Sequence, residues 1–252
     1  MNLPDWLRIE SRSGPSFIAS LVVAVCVCAV IVVLGWRWYA GGTMQSMSVS
    51  GATVLTADSV RALAHLRSGM SLREVDPERT TARLTRHPWI ADAQVRTHPF
   101  RNHVAVALDE RTPVGRWVDA EGRPQFYLDA HGYALPLRND TVFDVPLVYD
   151  DSISYHQHEP VARPELQQAL RAIAGSGTTY DIISGIEIGP DHAVQLYVTH
   201  PQGHSMTVRL GKQGYPEKLR RLEAFHTHVI QQTADPVRTI DLRFRGQVIT
   251  RP

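Results

Sequence analysis

Cysteine is nearly absent from this sequence of 252 residues. Its two cysteines, Cys26 and Cys28, both lie in the longest apolar run of the chain, near the N-terminus. The long body that follows therefore has no cysteine for an internal disulfide, a thiolate zinc cage or nucleophilic catalysis. We expect that body to be stabilised by packing alone.

An excess of charge of one sign is also lacking, because the formal net charge is only +1. Domains that bind nucleic acid carry a basic patch or stripe, and this composition provides no such electrostatic footprint. The sequence therefore predicts no nucleic-acid partner. Hydrophobic residues make up 43% of the chain, which is enough to build ordinary globular cores.

Recognisable catalytic motifs are missing as well. There is no Gly-x-Ser-x-Gly elbow, no Ser-x-x-Lys pair and no glycine-rich phosphate loop. A loose group of carboxylates in a turn-rich region is better explained as solvated surface than as an acid–base pair; its members are Asp129, Asp144, Asp150 and Asp151. We predict that the protein is not an enzyme and needs no cofactor.

Two histidine pairs resemble metal ligands only superficially. His226 and His228 stand two residues apart on a predicted helix, about 200° around its axis, so they cannot share an ion. His156 and His158 would project to the same side of an extended segment, but no third ligand follows. We predict no metal site.

The longest apolar run, Phe17 to Leu34, contains eighteen uncharged residues. As a helix it would be about 27 Å long, which matches the hydrocarbon core of a bilayer. Bulky residues after it, Trp36 to Tyr39, are typical of an aromatic belt and argue against the small residues of a signal-peptide cleavage site. We predict a cytoplasmic tail over 1–16, a membrane anchor over 17–39 and an exported body. Arg8 and Arg12 before the anchor favour this type II orientation.

The first stretch after the anchor predicts the order β-α-α-β-β. Alternation around Met47 and Val49 indicates a strand, and Thr56 is a plausible helix N-cap, in a segment that Gly69 ends. Asp76-Pro77 repeats the capping pattern for a second helix. Two alternating segments, 89–96 and 103–108, then predict a hairpin, giving two helices on one face of a three-stranded sheet.

Particular residues in this stretch also carry a resemblance to a known family. The segments are SVSG at 48–51, HPWIADAQV at 87–95, Pro99, and ERTPVGRW at 110–117; further on they are VDAEG at 118–122, RLG at 209–211, KLRRLEAF at 218–225 and IDLRF at 240–244. In this order, behind one anchor, they resemble the POTRA domain and the following β domain of the FtsQ/DivIB cell-division family. The resemblance implies a POTRA domain over 44–112, with Trp89 and Val95 in its core, and an FtsQ-type β domain over 113–252.

The second half of the chain, analysed from its residues alone, is consistent with that architecture. Alternating strands surround a hairpin turn at Pro201–Gly203, and Leu166, Ala169, Leu170 and Ile173 give one helix an apolar stripe. A second helix, from Pro216 to about Gln231, has a broad stripe that we expect to include His226 and Val229. The predicted fold class is a single transmembrane helix followed by α+β, with a mainly antiparallel sheet covered by helices in the second domain.

The resemblance implies a non-enzymatic divisome scaffold of the inner membrane, located at the division septum. By resemblance its partners are FtsB and FtsL, with other divisome membrane proteins such as FtsW and FtsI, and it helps assemble or regulate septal peptidoglycan synthesis. Two alternatives remain open at this point: a POTRA-containing secretion or outer-membrane assembly factor, and a membrane-anchored periplasmic hydrolase.

The last strand is where the resemblance implies that FtsB docks. The alternation of Ile240, Leu242 and Phe244 predicts that these three side chains point inward. An unpaired strand edge after them offers backbone groups to a partner strand. The predicted partner-binding residues are Phe244, Arg245, Gly246, Gln247, Val248, Ile249 and Thr250.

Overall fold

The computed structural model describes residues 15–40, 42–150, 152–232 and 237–251. Its α-helices are α1 (Pro15–Ala40), α2 (Ala57–Ala64), α3 (Pro77–Leu84), α4 (Pro164–Ala174), α5 (Thr178–Ile182) and α6 (Tyr215–Phe225), which a π-helix extends over His226–Ile230. Its strands are β1 (Ser46–Ser50), β2 (Ile90–His98), β3 (His103–Glu110), β4 (Pro113–Val118), β5 (Pro124–Asp129), β6 (Ala134–Pro136), β7 (Leu147–Tyr149), β8 (Ile183–Ile188), β9 (Val194–Thr199), β10 (Ser205–Gly211), β11 (Thr239–Asp241) and β12 (Ile249–Arg251).

Helix α1 contains the predicted anchor. The segment Ala19–Trp36 has a mean hydropathy of 2.8 and none of it is buried within the protein, so the helix is long and apolar enough to cross a membrane. Arg8 and Arg12, on which the predicted orientation rests, lie outside the described residues.

The described residues form two compact units. The first contains the chain up to Thr81 together with Gln94–Ala107, and the second contains Ala82–Ala93 and the chain from Leu108 onward. Strands β1, β3 and β2 form a three-stranded sheet in that order, and β1 runs parallel to β3. The predicted order β-α-α-β-β is confirmed.

Local capping chemistry fixes where both short helices of this region begin. The Thr56 hydroxyl accepts a hydrogen bond from the Ser59 N–H (3.2 Å), and the Asp76 carboxylate accepts one from the Arg79 N–H (3.1 Å). Each side chain therefore satisfies an N–H group that the helix itself leaves unpaired. Helix α2 ends earlier than Gly69, because His65 adopts a left-handed conformation with φ 55°.

The second unit is built on a nine-stranded mixed sheet. Its strand order is β12-β11-β10-β9-β8-β7-β4-β5-β6, so β12 and β6 lie at the two ends. Three neighbouring pairs are parallel, namely β4 with β7, β7 with β8, and β10 with β11, and the other five are antiparallel. The mainly antiparallel sheet predicted from the sequence is confirmed.

Helices cover this sheet through the apolar stripes that the sequence predicted. Leu166, Ala169, Leu170 and Ile173 of α4 are all completely buried in the main hydrophobic core. Along α6 and its π-helical extension, Leu219 and Leu222 are buried, and so are His226 and Ile230. Val229 is not part of that stripe, since it is 38% exposed. The wider turn of a π-helix shifts side chains away from the 3.6-residue spacing on which the prediction relied.

Trp89 is buried in a different place from the one predicted. It belongs to the second unit and is only 1% exposed. Its ring stacks on Phe143 with 5.5 Å between centroids, and Tyr127 meets it edge-on at 6.2 Å. Both neighbours lie beyond Pro113, so the structure places Trp89 outside the core of the β-α-α-β-β module. Val95, by contrast, is buried in the first unit, as predicted.

Candidate partner-binding edge

The last described strand, β12, forms one end of the nine-stranded sheet. It pairs antiparallel with β11, with Ile249 opposite Asp241 and Arg251 opposite Thr239. All three residues of β12 are exposed. In the part of the chain that the structure describes, no strand pairs with its other side.

The hydrogen bonds of β11 decide which backbone groups of β12 remain open. On the β10 side, Thr207 N–H donates to the Arg238 carbonyl (2.9 Å) and Leu242 N–H donates to the Arg209 carbonyl (3.0 Å). Successive residues of a strand direct their backbone groups to opposite sides. Ile240 therefore faces β10, as do the Arg238 carbonyl and the Leu242 N–H, and alternation directs Thr239 and Asp241 to β12. The Arg238 N–H, just before β11, donates to the Arg251 carbonyl of β12 (3.0 Å).

The same alternation continues into β12. Ile249 and Arg251, which lie opposite Asp241 and Thr239, direct their backbone groups inward to β11. Thr250 lies between them, so its N–H and C=O point away from the sheet. Thr250 is therefore the residue of β12 that offers a donor and an acceptor to an added strand.

The turn before β12 contradicts the inward direction predicted for Phe244. Ile240 and Leu242 are completely buried, but Phe244 is 49% exposed. Strand β11 ends at Asp241, and the chain then turns with Gln247 N–H donating to the Phe244 carbonyl (3.4 Å) and Gly246 at φ 70°. Alternation predicts side-chain direction only while the strand continues, and here the turn ends it.

An ion pair helps to end β11. The Asp241 carboxylate accepts hydrogen bonds from the Arg243 N–H (3.1 Å) and from two guanidinium nitrogens, with the shortest at 2.6 Å. These bonds from Arg243 lower the pKa of Asp241 below its ordinary value. The guanidinium also lies 5.9 Å from the centre of the Phe244 ring. The pair therefore holds the aromatic side chain beside the strand end.

Arg221 of α6 holds the turn from the other side. Its guanidinium donates to the carbonyls of Phe244 (3.0 Å) and Gln247 (3.1 Å). Arg221 was not predicted from the sequence, because it lies 23 residues before Phe244 and no local pattern links the two. These two hydrogen bonds hold in place the turn that leads into β12.

The side chains of the candidate edge differ in exposure. Val248 is partly buried against the main core, and Ile249 is 38% exposed. Arg245, Gly246 and Gln247 are exposed in the turn. The predicted residues 244–250 therefore form one continuous segment, of which Val248 is mainly structural and Phe244, Ile249 and Thr250 face solvent.

The described carboxylates considered for acid–base chemistry, Asp129, Asp144 and Asp150, do not form a site. Asp129 pairs with Arg111 (2.7 Å) and Asp150 with Arg163 (2.8 Å), while Asp144 is exposed. Asp151 lies outside the described residues. Both ion pairs are largely buried, and their geometry is that of structural contacts between distant parts of the chain.

Comparison with known proteins assigns the two parts of the chain to one family. A family model described as FtsQ/DivIB, C-terminal related, matches residues 112–251, and a model described as POTRA domain, FtsQ-type, matches residues 43–111. The chain belongs to the FtsQ/DivIB family. The resemblance found in the sequence is thereby confirmed, including its POTRA domain.

Similar curated proteins carry the same family name. The cell division protein FtsQ of Salinibacter ruber is 38% identical over 223 residues, which is 86% of each chain. The cell division protein FtsQ of Rhodothermus marinus is 35% identical over 233 residues, covering 91% of this chain and 83% of that protein. A Geobacter FtsQ is 27% identical over 82% of this chain.

FtsQ/DivIB membership makes this chain a cell-division protein associated with the inner membrane. The apolar helix α1 is consistent with a single membrane crossing. Within the described residues, no group of three His, Cys, Asp or Glu side chains is arranged to hold a metal ion. The backbone edge at Thr250 is therefore the candidate site with a defined geometry.

Proposed function

We propose that this protein is a non-enzymatic scaffold of the divisome whose strand β12 accepts a β-strand of FtsB. FtsL joins the same assembly in this proposal, and the scaffold helps to recruit or regulate septal peptidoglycan synthesis alongside membrane proteins such as FtsW and FtsI. The observation that carries the proposal is the open N–H and C=O of Thr250 at the end of the nine-stranded sheet.

The proposal includes a domain arrangement and a location. A POTRA domain spans 44–112 and an FtsQ-type β domain spans 113–252, which is supported by the two family models that meet between residues 111 and 112. Helix α1 crosses the inner membrane once, in the type II orientation, and the bulk of the chain is periplasmic at the division septum. The length and hydropathy of Ala19–Trp36 support this crossing.

Main-chain pairing explains why a partner would use this edge. A strand added beside β12 satisfies backbone groups that otherwise depend on water, and the side chains of Phe244 and Ile249 supply apolar contact next to it. Affinity then depends mainly on the backbone, and specificity on the few side chains that flank it.

The deciding experiment compares proline substitutions at neighbouring positions. Thr250→Pro removes an N–H that points away from the sheet, so we expect loss of FtsB capture with the melting temperature unchanged. Ile249→Pro removes an N–H directed at β11, so we expect it to lower the melting temperature as well. Each full-length variant is measured by FtsB pull-down and by thermal unfolding.

Matched controls keep the backbone donor. Thr250→Val and Val248→Thr change side-chain polarity but retain the N–H, so both should capture FtsB nearly as well as the parent chain. Normal capture of FtsB by a folded Thr250→Pro chain would move the partner site to another surface.

A further inference from the structure

Strand β12 has little packing of its own to keep it in place. It consists of three residues, all of them exposed, and in the part of the chain that the structure describes it pairs with β11 alone. Strand β11 is equally short. Val248, just before β12, is partly buried against the core. Because side-chain packing is what mainly stabilises a strand in a sheet, β12 depends for its order on the turn that leads into it.

That turn is held by one side chain from a different element. The Nη1 atom of Arg221 donates to the Phe244 carbonyl (3.0 Å) and to the Gln247 carbonyl (3.1 Å). The same two residues close the turn, since Gln247 N–H donates to the Phe244 carbonyl (3.4 Å). A charged donor makes stronger hydrogen bonds than a neutral one. Arg221 therefore makes the stronger of the contacts that keep the turn closed.

Helix α6 gives this side chain a fixed starting point. Leu219 and Leu222, which lie on either side of Arg221 in sequence, are both buried in the main core. One turn earlier in the helix, Lys218 Nζ donates to the Leu210 carbonyl of β10. The helix is thus anchored to the core and to β10 through contacts that do not involve the turn before β12.

The surroundings of Arg221 favour the two backbone carbonyls over other partners. Its side chain is 20% exposed, so water competes only weakly for the guanidinium. Its ion-pair partner Glu217 is 61% exposed, and 3.9 Å separates Arg221 Nε from the Glu217 carboxylate. Exposed pairs of this kind contribute little. The carbonyls of the turn are therefore the main hydrogen-bond partners of Arg221.

We propose that Arg221 is a positioning residue of the partner-binding edge, which keeps β12 ordered so that the N–H and C=O of Thr250 are presented to an added strand. Without Arg221 the turn opens, and the edge is competent for only part of the time. The apparent dissociation constant of the partner then rises by the inverse of the competent fraction. This inference deepens the proposed function and rests on it, because it takes the β12 edge as the place where the partner strand pairs.

The first measurement is amide hydrogen exchange in the free full-length chain, held in lipid nanodiscs. Arg221→Met keeps a long unbranched side chain but removes both hydrogen bonds to the turn. We expect the amides of residues 249–251 to exchange at least about tenfold faster than in the parent chain, because this change opens the edge locally. Strand β9 lies inside the sheet, between β8 and β10, so its unchanged exchange shows that the chain remains folded.

The second measurement is the affinity of each variant for FtsB. Arg221→Met should raise the dissociation constant about tenfold. Arg221→Lys should recover part of this loss, since an ammonium group can still donate to one of the two carbonyls. Arg220→Met is the matched control, because Arg220 is the preceding residue of the same helix, is exposed and carries the same charge. It should keep the exchange and the affinity of the parent chain.

The two measurements together decide the role of Arg221. Parent exchange at residues 249–251 in Arg221→Met would overturn the inference, and weaker binding in that case would make Arg221 a direct contact. Faster exchange with the parent affinity would also overturn it, because the order of β12 would not limit binding. The proposed function fails on a different measurement, since normal capture by a folded Thr250→Pro chain moves the partner from this edge whatever Arg221 does.

Discussion

At the scale of single residues, Trp89 is the side chain whose loss should cost most stability. Its ring is 1% exposed and packs against Phe143 and Tyr127. Truncation of a buried tryptophan to alanine costs about 3 to 5 kcal/mol. We therefore expect Trp89→Ala to lower the melting temperature of the full chain markedly, as measured by thermal unfolding monitored by circular dichroism.

Phe244→Ala is the matched control for that change, because it removes an aromatic ring that is 49% exposed in the same unit. Its effect on the melting temperature should be small. If Trp89→Ala kept the parent melting temperature and lost a partner instead, Trp89 would be a contact residue and its structural assignment would be wrong.

Residues whose partners are close in sequence were predictable, and residues with distant partners were not. Thr56 and Asp76 cap their helices through N–H groups three residues ahead, so composition and spacing revealed them. The neighbours of Trp89 come from residues 127 and 143, and Arg221 meets a turn 23 residues later. No period in the sequence encodes such contacts, because only the folded sheet brings them together.

At the scale of secondary-structure elements, the turn between β9 and β10 contains a buried group of histidines. His200 is 2% exposed, stacks on His204 at 4.1 Å, and accepts a hydrogen bond from the Gln202 N–H at Nδ1 (3.0 Å). His226 of the π-helix is 8% exposed. Among the residues that the structure describes, the Nε2 atoms of all three histidines are buried and have no hydrogen-bond partner.

The position of the proton on His200 argues against metal binding by this group. Since Nδ1 accepts the Gln202 N–H, the neutral ring carries its proton on Nε2. That nitrogen therefore has no lone pair to offer a metal ion. The same hydrogen bond must break before Nδ1 can take a second proton.

Acidification should destabilise this region. Burial lowers the pKa of His200, with further lowering by the charges of His204 and His226, and burial also lowers the pKa of His226. The unfolded chain then takes up protons first as the pH falls through about 6.5, so stability should be greatest above that pH and decrease below it. Melting temperatures should decrease when they are measured from pH 7.5 down to pH 5 at constant ionic strength. That range is chosen around the ordinary histidine pKa of about 6.5.

Substitution identifies the groups responsible. His226→Leu removes one buried titrating ring and should flatten the pH dependence of the melting temperature. His158→Gln, at an exposed position, should leave the parent curve unchanged. Parallel curves for the parent and His226→Leu would show that the acid sensitivity originates elsewhere.

Long elements were predictable from the sequence, whereas several short ones were not. The stripe of α4 and the alternating strands β8, β9 and β10 have enough residues to define a period. Strands β6 and β7 have three residues each, and α5 has five. Segments of this length show no period, and they exist because neighbouring strands supply their hydrogen bonds.

At the scale of the whole molecule, the orientation of the chain in the membrane is directly measurable. In the proposed type II arrangement, a reporter enzyme that is active only in the periplasm should be active when fused after Pro252. The same reporter fused before Asp5 should be inactive. The reverse pattern would place the body of the protein in the cytoplasm and would contradict the proposed periplasmic role.

The overall architecture was predictable as a series of parts but not as an arrangement. An apolar helix, a β-α-α-β-β module and a mainly antiparallel domain follow from patterns along the chain. The strand order does not, because β7 lies between β4 and β8 in the sheet, although β5 and β6 separate β4 from β7 along the chain. Such crossovers depend on packing across the sheet, which local sequence does not record.

Strand β7 also has a mechanical consequence. Its three residues pair with β4 on one side and β8 on the other, so they form the seam between β4–β6 and β8–β12. Gly115 makes room for the seam, since a Cβ atom there would lie 2.7 Å from Val148 Cγ2. Helix α4 packs on both β4 and β9, and so connects the strands on the two sides of β7.

A tensile load applied across the nine-stranded sheet, between β6 and β10, is carried through this seam. We expect the sheet to separate first at β7 in single-molecule pulling. We also expect Leu170→Ala in α4 to lower the rupture force. An unchanged rupture force would place the mechanical weak point elsewhere. A scaffold loaded across this sheet would thus yield at a defined internal line.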